Sequence, residues 1–381
     1  MRVTGIRAWG LALLTVVLAG LGAIGCGFGN GGGNGCSVVN SAGPAPAAGS
    51  EFVFVPNAQC ASGAANNVMS VLVLSADGTI NTGPTPVVQT GNEPIWATVD
   101  PLNRFVYATN FADNTVSAFT LDTSTGAVAA VSGSPFTAGT NPGAVAITPS
   151  GDFAYVANDG SNNVSGFSIG ASGALTAVTG SPFAAGTNPQ QGIAATNGFV
   201  YESNEGSSNV SAYSINSGTG MLTQLATSPY STGGAGPESL AMNPAGTFVF
   251  TANMNSNNVS VLAVNGSGSL TPVTGSPFPA GNSPQYLTTD RTGNFLYVVN
   301  VNDNTVEAYS IAANGALTVI NIYPTGLGPE GLAVDPSNLF LIVADCGDGT
   351  VAVYSINGGG TLTALGTLFL GGCPQAVATS H

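Results

Sequence analysis

The sequence predicts an all-β fold: a seven-bladed β-propeller of four-stranded antiparallel blades, closed by the C-terminal strand joining the N-terminal blade. Three observations carry this. A proline recurs at Pro94, Pro142, Pro189, Pro237, Pro284, Pro329 and Pro374, at intervals of 45–48 residues, the period of a four-stranded propeller blade. A pair of large apolar residues at i and i+2 recurs once per unit, as in Phe105/Tyr107, Phe153/Tyr155, Phe199/Tyr201, Phe248/Phe250 and Phe295/Tyr297. No segment of useful length shows a helical period.

Residues 1–26 are expected to be a bacterial export signal: "MRVTGIR" is a short basic start, and Ala8 to Gly25 an apolar stretch ending in "AIGC". A Cys after small residues is what lipoprotein processing requires, so Cys26 is the expected lipidation site. The protein is expected at the cell envelope as a lipid-anchored protein, or secreted. Residues 27–50, "GFGNGGGNGCSVVNSAGPAPAAGS", have no apolar periodicity and abundant Gly, which suits a flexible tether. The propeller is expected over 51–381.

Within the unit from Pro142, "GAVAITP", "DFAYVAN", "NVSGFSI" and "ALTAVTG" read as four successive strands bounded by Gly, Asn, Ser or Pro turn chemistry. In a strand, i and i+2 share a face, so the paired rings pack one blade against its neighbour. The pairs Phe52/Phe54 at the start and Phe340/Ile342 at the end complete seven. Residues 51–93 hold second, third and fourth strand signals without a first. The chain ends in "CPQAVATSH", a first strand with nothing after it. Joining the two closes the ring and removes an exposed edge.

The segments "YATN", "YVAN", "FTAN" and "YVVN", each followed by Asn-x-Val or Asn-Val, resemble the YVTN-repeat propellers and the seven-bladed lactonase (6-phosphogluconolactonase-like) family. The resemblance covers essentially Glu51 to His381 and implies the fold. The resemblance also implies a lactone-hydrolysing activity, and enzymatic members tend to carry a Gly-Pro-Arg-His run entering an inner strand. The matching positions here are Gly236-Pro237-Glu238-Ser239 and Gly328-Pro329-Glu330-Gly331. Both basic residues are gone, and carboxylates in their place repel a phosphorylated substrate.

Composition narrows the function classes. All 18 acidic residues lie beyond Cys26, two of the four arginines lie before it, and there is no lysine. Such a surface repels phosphate backbones and anionic headgroups, which excludes nucleic-acid binding and leaves a lipid anchor as the only membrane contact. Four cysteines follow Cys26: Cys36, Cys60, Cys346 and Cys373. In an oxidising envelope an even set suggests disulfides. The loop after a second strand and the connection into the next inner strand lie on one face, so Cys346–Cys373 is the expected pair, with Cys36 and Cys60 as remaining candidates.

Catalytic constellations are scarce. The only His is the terminal His381, which removes Ser-His-Asp and Cys-His arrangements and the usual zinc ligands. No phosphate-cradling loop opens a helix, so no cofactor and no metal is expected. The residue after each marker proline opens the innermost strand at the channel mouth. These are Ile95, Gly143, Gln190, Glu238, Gln285, Glu330 and Gln375, five of them Gln or Glu. Such an arc can bind a sugar, a lactone carbonyl or a hard cation, with Glu238 or Glu330 as the general base; the plainer expectation is a solvated rim.

Glu202 stands where sister repeats have Val156 or Val298, on the face opposite the rings, so its pKa is expected to be raised or its carboxyl bound. Glu307 replaces a recurring Ser. The Asx-rich loops after the second strands are expected to cap tight turns rather than hold calcium, and Arg104 and Arg291 to be solvated turn residues. The first functional expectation is a monomeric, envelope-displayed binding module for a protein or glycan partner at the loop faces or channel mouth. The alternative is a lactonase-type hydrolase acting on a sugar lactone.

Overall fold

The computed structural model describes residues 41–58, except 44 and 48, and 67–380. The export signal with Cys26, most of the tether, Cys36, Cys60 and His381 lie outside these residues. At the near end of the tether, the Gly43 N–H donates to the Gly83 carbonyl, so the chain already lies along the first blade there.

Seven antiparallel blades follow one another around an axis, and the fourth and fifth are also joined by a single parallel bridge between Gln191 and Ser239. The second blade shows the plan: inner strand Pro94–Val99, then Phe105–Asn110, Thr115–Leu121 and a short outer strand Val128–Ala130. The inner strands of the next five blades are Pro142–Ile147, Pro189–Ala195, Pro237–Met242, Pro284–Thr289 and Pro329–Val334. No α-helix occurs among the described residues; the one helical turn is the 3-10 segment Met254–Ser256. In blades two to five the outer strand is not the single strand expected. It breaks at a Ser-Pro turn and resumes as a two-residue piece such as Phe136–Thr137. Proline cannot donate to a ladder, so it interrupts pairing on this edge.

The ring closes as the sequence implies. Glu51–Ala58 pairs with Val68–Leu74 on one side. On the other it pairs with the C-terminal Cys373–Pro374 and Ala378–Thr379. The Ser380 N–H donates to the Phe52 carbonyl at 2.8 Å, and the Phe52 N–H donates back to Ser380 Oγ at 2.9 Å. Cys346 and Cys373 form a disulfide with Cα atoms 4.1 Å apart. It staples the second strand of blade seven to the closing strand, spanning 27 residues, which corresponds to about 3–4 kcal/mol of loop entropy in the chain-entropy picture.

The repeated residues now have roles. Each first-position ring seats on a glycine in the third-to-fourth-strand hairpin of the next blade. Phe52 meets Gly126, Phe105 meets Gly173, Phe153 meets Gly220, Phe199 meets Gly268, Phe248 meets Gly315, Phe295 meets Gly360, and Phe340 closes on Gly78. An added Cβ would come within 2.2–2.6 Å of the ring at six of these glycines, and at Gly78 within 2.2 Å of Leu365 and 2.7 Å of Phe340; all seven have φ between 71° and 85°. Where the second ring is Tyr, its hydroxyl reaches the same glycine: Tyr107 to the Gly173 carbonyl at 3.0 Å, Tyr155 to Gly220 at 2.8 Å and Tyr201 to Gly268 at 2.9 Å.

The Asn that ends the second strand in blades two to six is wholly buried and ties its blade internally. Asn110 Nδ2 donates to Ser117 Oγ, Asn158 to Ser165 and Asn253 to Ser260, at 2.7–2.9 Å. Meanwhile Asn110 and Asn158 Oδ1 accept the N–H of Gly91 and Gly139 at 2.9 and 3.0 Å. These bonds satisfy polar groups that would otherwise be buried without partners. The recurrence of Asn and Ser seven positions apart is therefore structural.

Removing residues 374–381 strips the closing strand from Glu51–Ala58 and exposes that strand's inner edge. The truncated protein is expected to lose its cooperative thermal transition or to aggregate; an unchanged melting curve would contradict this closure.

Candidate functional site

The inner strands all run in the same direction along the channel, so equivalent positions form layers. The first layer follows the marker prolines. In most blades the residue after the proline is extra relative to its partner strand: Pro237 pairs with Asn253 but Ser239 with Ala252, leaving Glu238 unpaired. Glu330 and Gln285 occupy the same bulged position. Gln190 lies in a wider irregularity between Pro189 and Ile193. A bulge re-aims a side chain out of the ladder, and here it turns these residues to the channel.

This layer is not the solvated rim expected as the plainer outcome. Glu238 is 4% exposed, Glu330 3% and Gln375 4%, whereas Gln190 and Gln285 are half-buried. With almost no water around them, the carboxyls hold their protons to high pH. Glu238 is pushed up to about 8, chiefly by burial and further by the carboxylates of Glu205, Asp159 and Glu330. Glu330 is also pushed up to about 8 by burial, against the opposing pull of a hydrogen bond with Gln375. Groups that sense one another titrate as a set, so these values belong to the cluster.

The neighbours come from loops. Gln190 Nε2 donates to Glu205 Oε2, and Asn188 Nδ2 donates to Asp159 Oδ1, both at 2.8 Å. Asp159 and Glu205 are raised by burial as well. Sequence reasoning missed both, because it assigned their loops to turn capping. The available signal was position: each directly follows the buried Asn at the end of a second strand, beside the channel mouth. The capping expectation does describe the rest of these loops, where Asn114, Asn162, Asn257 and Asn304 adopt positive φ.

Gln375 also donates to Cys373 Sγ. Among the described residues, the one trio of potential metal-ligand atoms within 4.8 Å is Glu330 with Cys346 and Cys373. Those sulfurs are joined in the disulfide and are not thiolates, so the trio does not suit a cation.

Glu202 lies away from this layer. It is completely buried, neither carboxyl oxygen has a hydrogen-bond partner among the described residues, and burial raises its pKa well above the ordinary range. It is therefore held neutral inside the fourth blade's packing, and the structure does not bring it to the candidate ligand-binding residues. Glu307 is a structural substitute: its Oε2 accepts the Gly281 N–H at 2.9 Å, the role an Asn performs in other blades. The arginines are ties rather than solvated turn residues. Arg104 forms an ion pair with Asp100 at 2.8 Å and donates to the Gly151 carbonyl of the next blade. Arg291 donates to the Val334 and Asp335 carbonyls.

The second layer closes the channel. Trp96 and Tyr286 each stand two residues after a marker proline, and their ring centroids are 5.3 Å apart. They belong to blades two and six, which are not neighbours in the ring, so the contact crosses the axis. The carboxyl layer thus lies directly against an aromatic contact rather than around an open pore.

The profile of the family described as lactonase, 7-bladed beta-propeller, matches residues 60–280 and 267–370. No protein of curated function matches the sequence significantly. Among solved structures, a protein from Bacteroides uniformis described as a candidate 6-phosphogluconolactonase superposes with a TM-score of 0.76 at 17% identity, covering 87% of this chain and 99% of that one. A Bacteroides fragilis protein of the same description gives 0.74 at 19%, covering 89% and 100%. The periplasmic gluconolactonase PpgL of Pseudomonas aeruginosa gives 0.72 at 19%, covering 87% and 99%. At these identities the superpositions establish the shared fold.

The raised carboxyls carry a stability signature. With folded values near 8 and a reference value of 4.5, the native state binds more protons than the unfolded chain between those limits. The stability from these two groups is complete below about pH 4.5 and is lost as pH rises through about 8. Glu238→Gln with Glu330→Gln is expected to melt higher than the parent at pH 8.5 and to show a shallower fall in Tm between pH 5 and 8. An identical pH profile would contradict the burial of these charges.

Proposed function

The chain belongs to the lactonase, 7-bladed beta-propeller family, and from that premise we propose that it is a lactonase-type hydrolase acting on a sugar lactone. The observation that supports this reading best is the pair of buried carboxyls, Glu238 and Glu330, poised near neutral pH at the closed end of the channel mouth. A general base works best when its pKa lies near the operating pH.

In this reading one of the pair is ionised and the other protonated. The carboxylate takes a proton from water as the water oxygen adds to the lactone carbonyl carbon. The ring C–O bond then breaks, and the departing ring oxygen takes the proton of the neutral carboxyl, leaving the hydroxy acid. Gln190, Gln285 and Gln375 supply amides around the mouth for substrate hydroxyls.

The substrate favoured is an uncharged lactone. Glutamates occupy both positions where the family's enzymatic members carry a basic residue, and Asp159 and Glu205 stand close by. A phosphate would meet four carboxyl groups and no cation in this layer. The interaction-module reading, with a protein or glycan partner at the loop faces or mouth, has no specific observation in its favour.

Full-length protein is expected to accelerate gluconolactone hydrolysis above the spontaneous rate, with kcat/KM rising between pH 6 and 8. Glu238→Gln with Glu330→Gln is expected to lower it by about 100-fold or more. Absence of any acceleration with uncharged lactones, or a clear preference for a phosphorylated one, would contradict the proposal.

A further inference from the structure

The far side of the Trp96–Tyr286 contact is a separate space. A cavity of about 440 Å³ lies there, bounded by the later halves of five inner strands. Its size falls within the roughly 300–1,000 Å³ range of small-ligand sites. Because the inner strands share a direction, the order along the axis is carboxyl layer, aromatic contact, cavity. The cavity therefore lies towards the end of the propeller opposite the carboxyl layer.

The walls are chemically distinct from the carboxyl layer. Trp96, 8% exposed, and the half-buried Tyr286 form the floor. Leu332, Val334 and Val377 supply apolar sides. Thr98, Thr288 and Thr379 add short hydroxyls, and Arg291 stands at the exposed end. The two main-chain carbonyls that accept from Arg291 Nε and one Nη fix its guanidinium in place. A guanidinium has five N–H donors, so the anchoring leaves others unused.

We propose that this cavity is a second binding site, for an uncharged sugar ring stacked on the Trp96–Tyr286 floor. An aromatic face takes the apolar side of a pyranose. The threonine hydroxyls and the free Arg291 donors then meet its equatorial oxygens. A carboxylate-bearing ligand fits less well, because every titratable group around Arg291 is acidic. Asp290 lines the cavity with its carboxylate accepting from Asn294, Phe295 and Thr292. Asp335 and Glu51 also act on the guanidinium electrostatically. These carboxyls already balance its charge, so it serves as a hydrogen-bond donor rather than an anion trap. The site does not depend on catalysis at Glu238 and Glu330.

The sequence holds only two tryptophans, Trp9 and Trp96, so the full chain carrying Trp9→Phe reports Trp96 fluorescence alone. It would be titrated with glucose, galactose, N-acetylglucosamine, maltose and cellobiose, and with glucuronate and benzyl alcohol for comparison, up to about 50 mM. At least one neutral sugar is expected to give a saturable change in emission, with glucuronate at least about fivefold weaker. Thr98→Val and Arg291→Gln are each expected to weaken that sugar by about fivefold or more; Thr98→Val keeps the test decisive if Arg291→Gln does not fold. Glu238→Gln with Glu330→Gln should leave the affinity unchanged. Four results would each overturn the proposal: no saturable response to any neutral sugar, glucuronate or benzyl alcohol binding as well as the best sugar, unchanged affinity in Thr98→Val, or loss of binding in the double glutamine variant.

Discussion

The structure depends on one joint repeated seven times: a phenylalanine ring of one blade packed against a left-handed glycine in the hairpin of the next. Burying such a ring contributes on the order of 1.5–3 kcal/mol, and the glycine is indispensable for two separate reasons. Its φ disfavours any L side chain, and its missing Cβ is the space the ring occupies. Tyrosine hydroxyls bonded to several of the same glycines add direction to an otherwise slippery apolar contact. With few charges and no lysine in the sequence, no network of ion pairs among the described residues shares this task. Among the described residues the sole salt bridge is Arg104–Asp100, so blade-to-blade cohesion rests on rings, glycines and the closing strand.

Because the joints hold the outer two-thirds of each blade, the inner strands are free to differ. Each carries an irregularity just after its marker proline, and that is where the chain places glutamate and glutamine. The bulge lifts these side chains out of the ladder, while the ring of neighbouring strands keeps water away from them. Burial without cationic partners then shifts the carboxyls towards neutrality. A chain whose formal net charge is −14 thereby raises the carboxyls of Glu238 and Glu330 well above the ordinary range. The same aromatic contact that seals the channel beneath these acids forms the floor of the cavity on the other side.

Much of this was legible in the sequence. The proline period and the i, i+2 rings mark the blades, and the unmatched strands at the two ends identify the closure. The Cys346–Cys373 pair follows from that topology. What the sequence hid was depth: Glu238 and Glu330 read as a rim because nothing in a linear pattern distinguishes a bulged, enclosed position from a solvated one. Asp159 and Glu205 were obscured by the turn chemistry of the loops that carry them. Trp96 and Tyr286 could not be paired at all, since their contact crosses the axis between blades two and six. The recurring hairpin glycines were read as turn formers, because their distance from the preceding blade's ring, 65–74 residues, is less regular than the proline period.

The hairpin of blade seven offers the most direct test, because three adjacent glycines separate the two reasons. An added Cβ at Gly358 meets nothing within 4 Å and the backbone there is ordinary; Gly359 has equal space but φ of 81°; Gly360 has φ of 77° and would place a Cβ 2.3 Å from Phe295. Thermal unfolding of the three alanine variants is the measurement. Near-parental melting is expected for Gly358→Ala, a drop of about 2–4 °C for Gly359→Ala and a clearly larger one for Gly360→Ala. Equal melting of Gly359→Ala and Gly360→Ala would contradict the claim that the ring on the glycine holds the blades together.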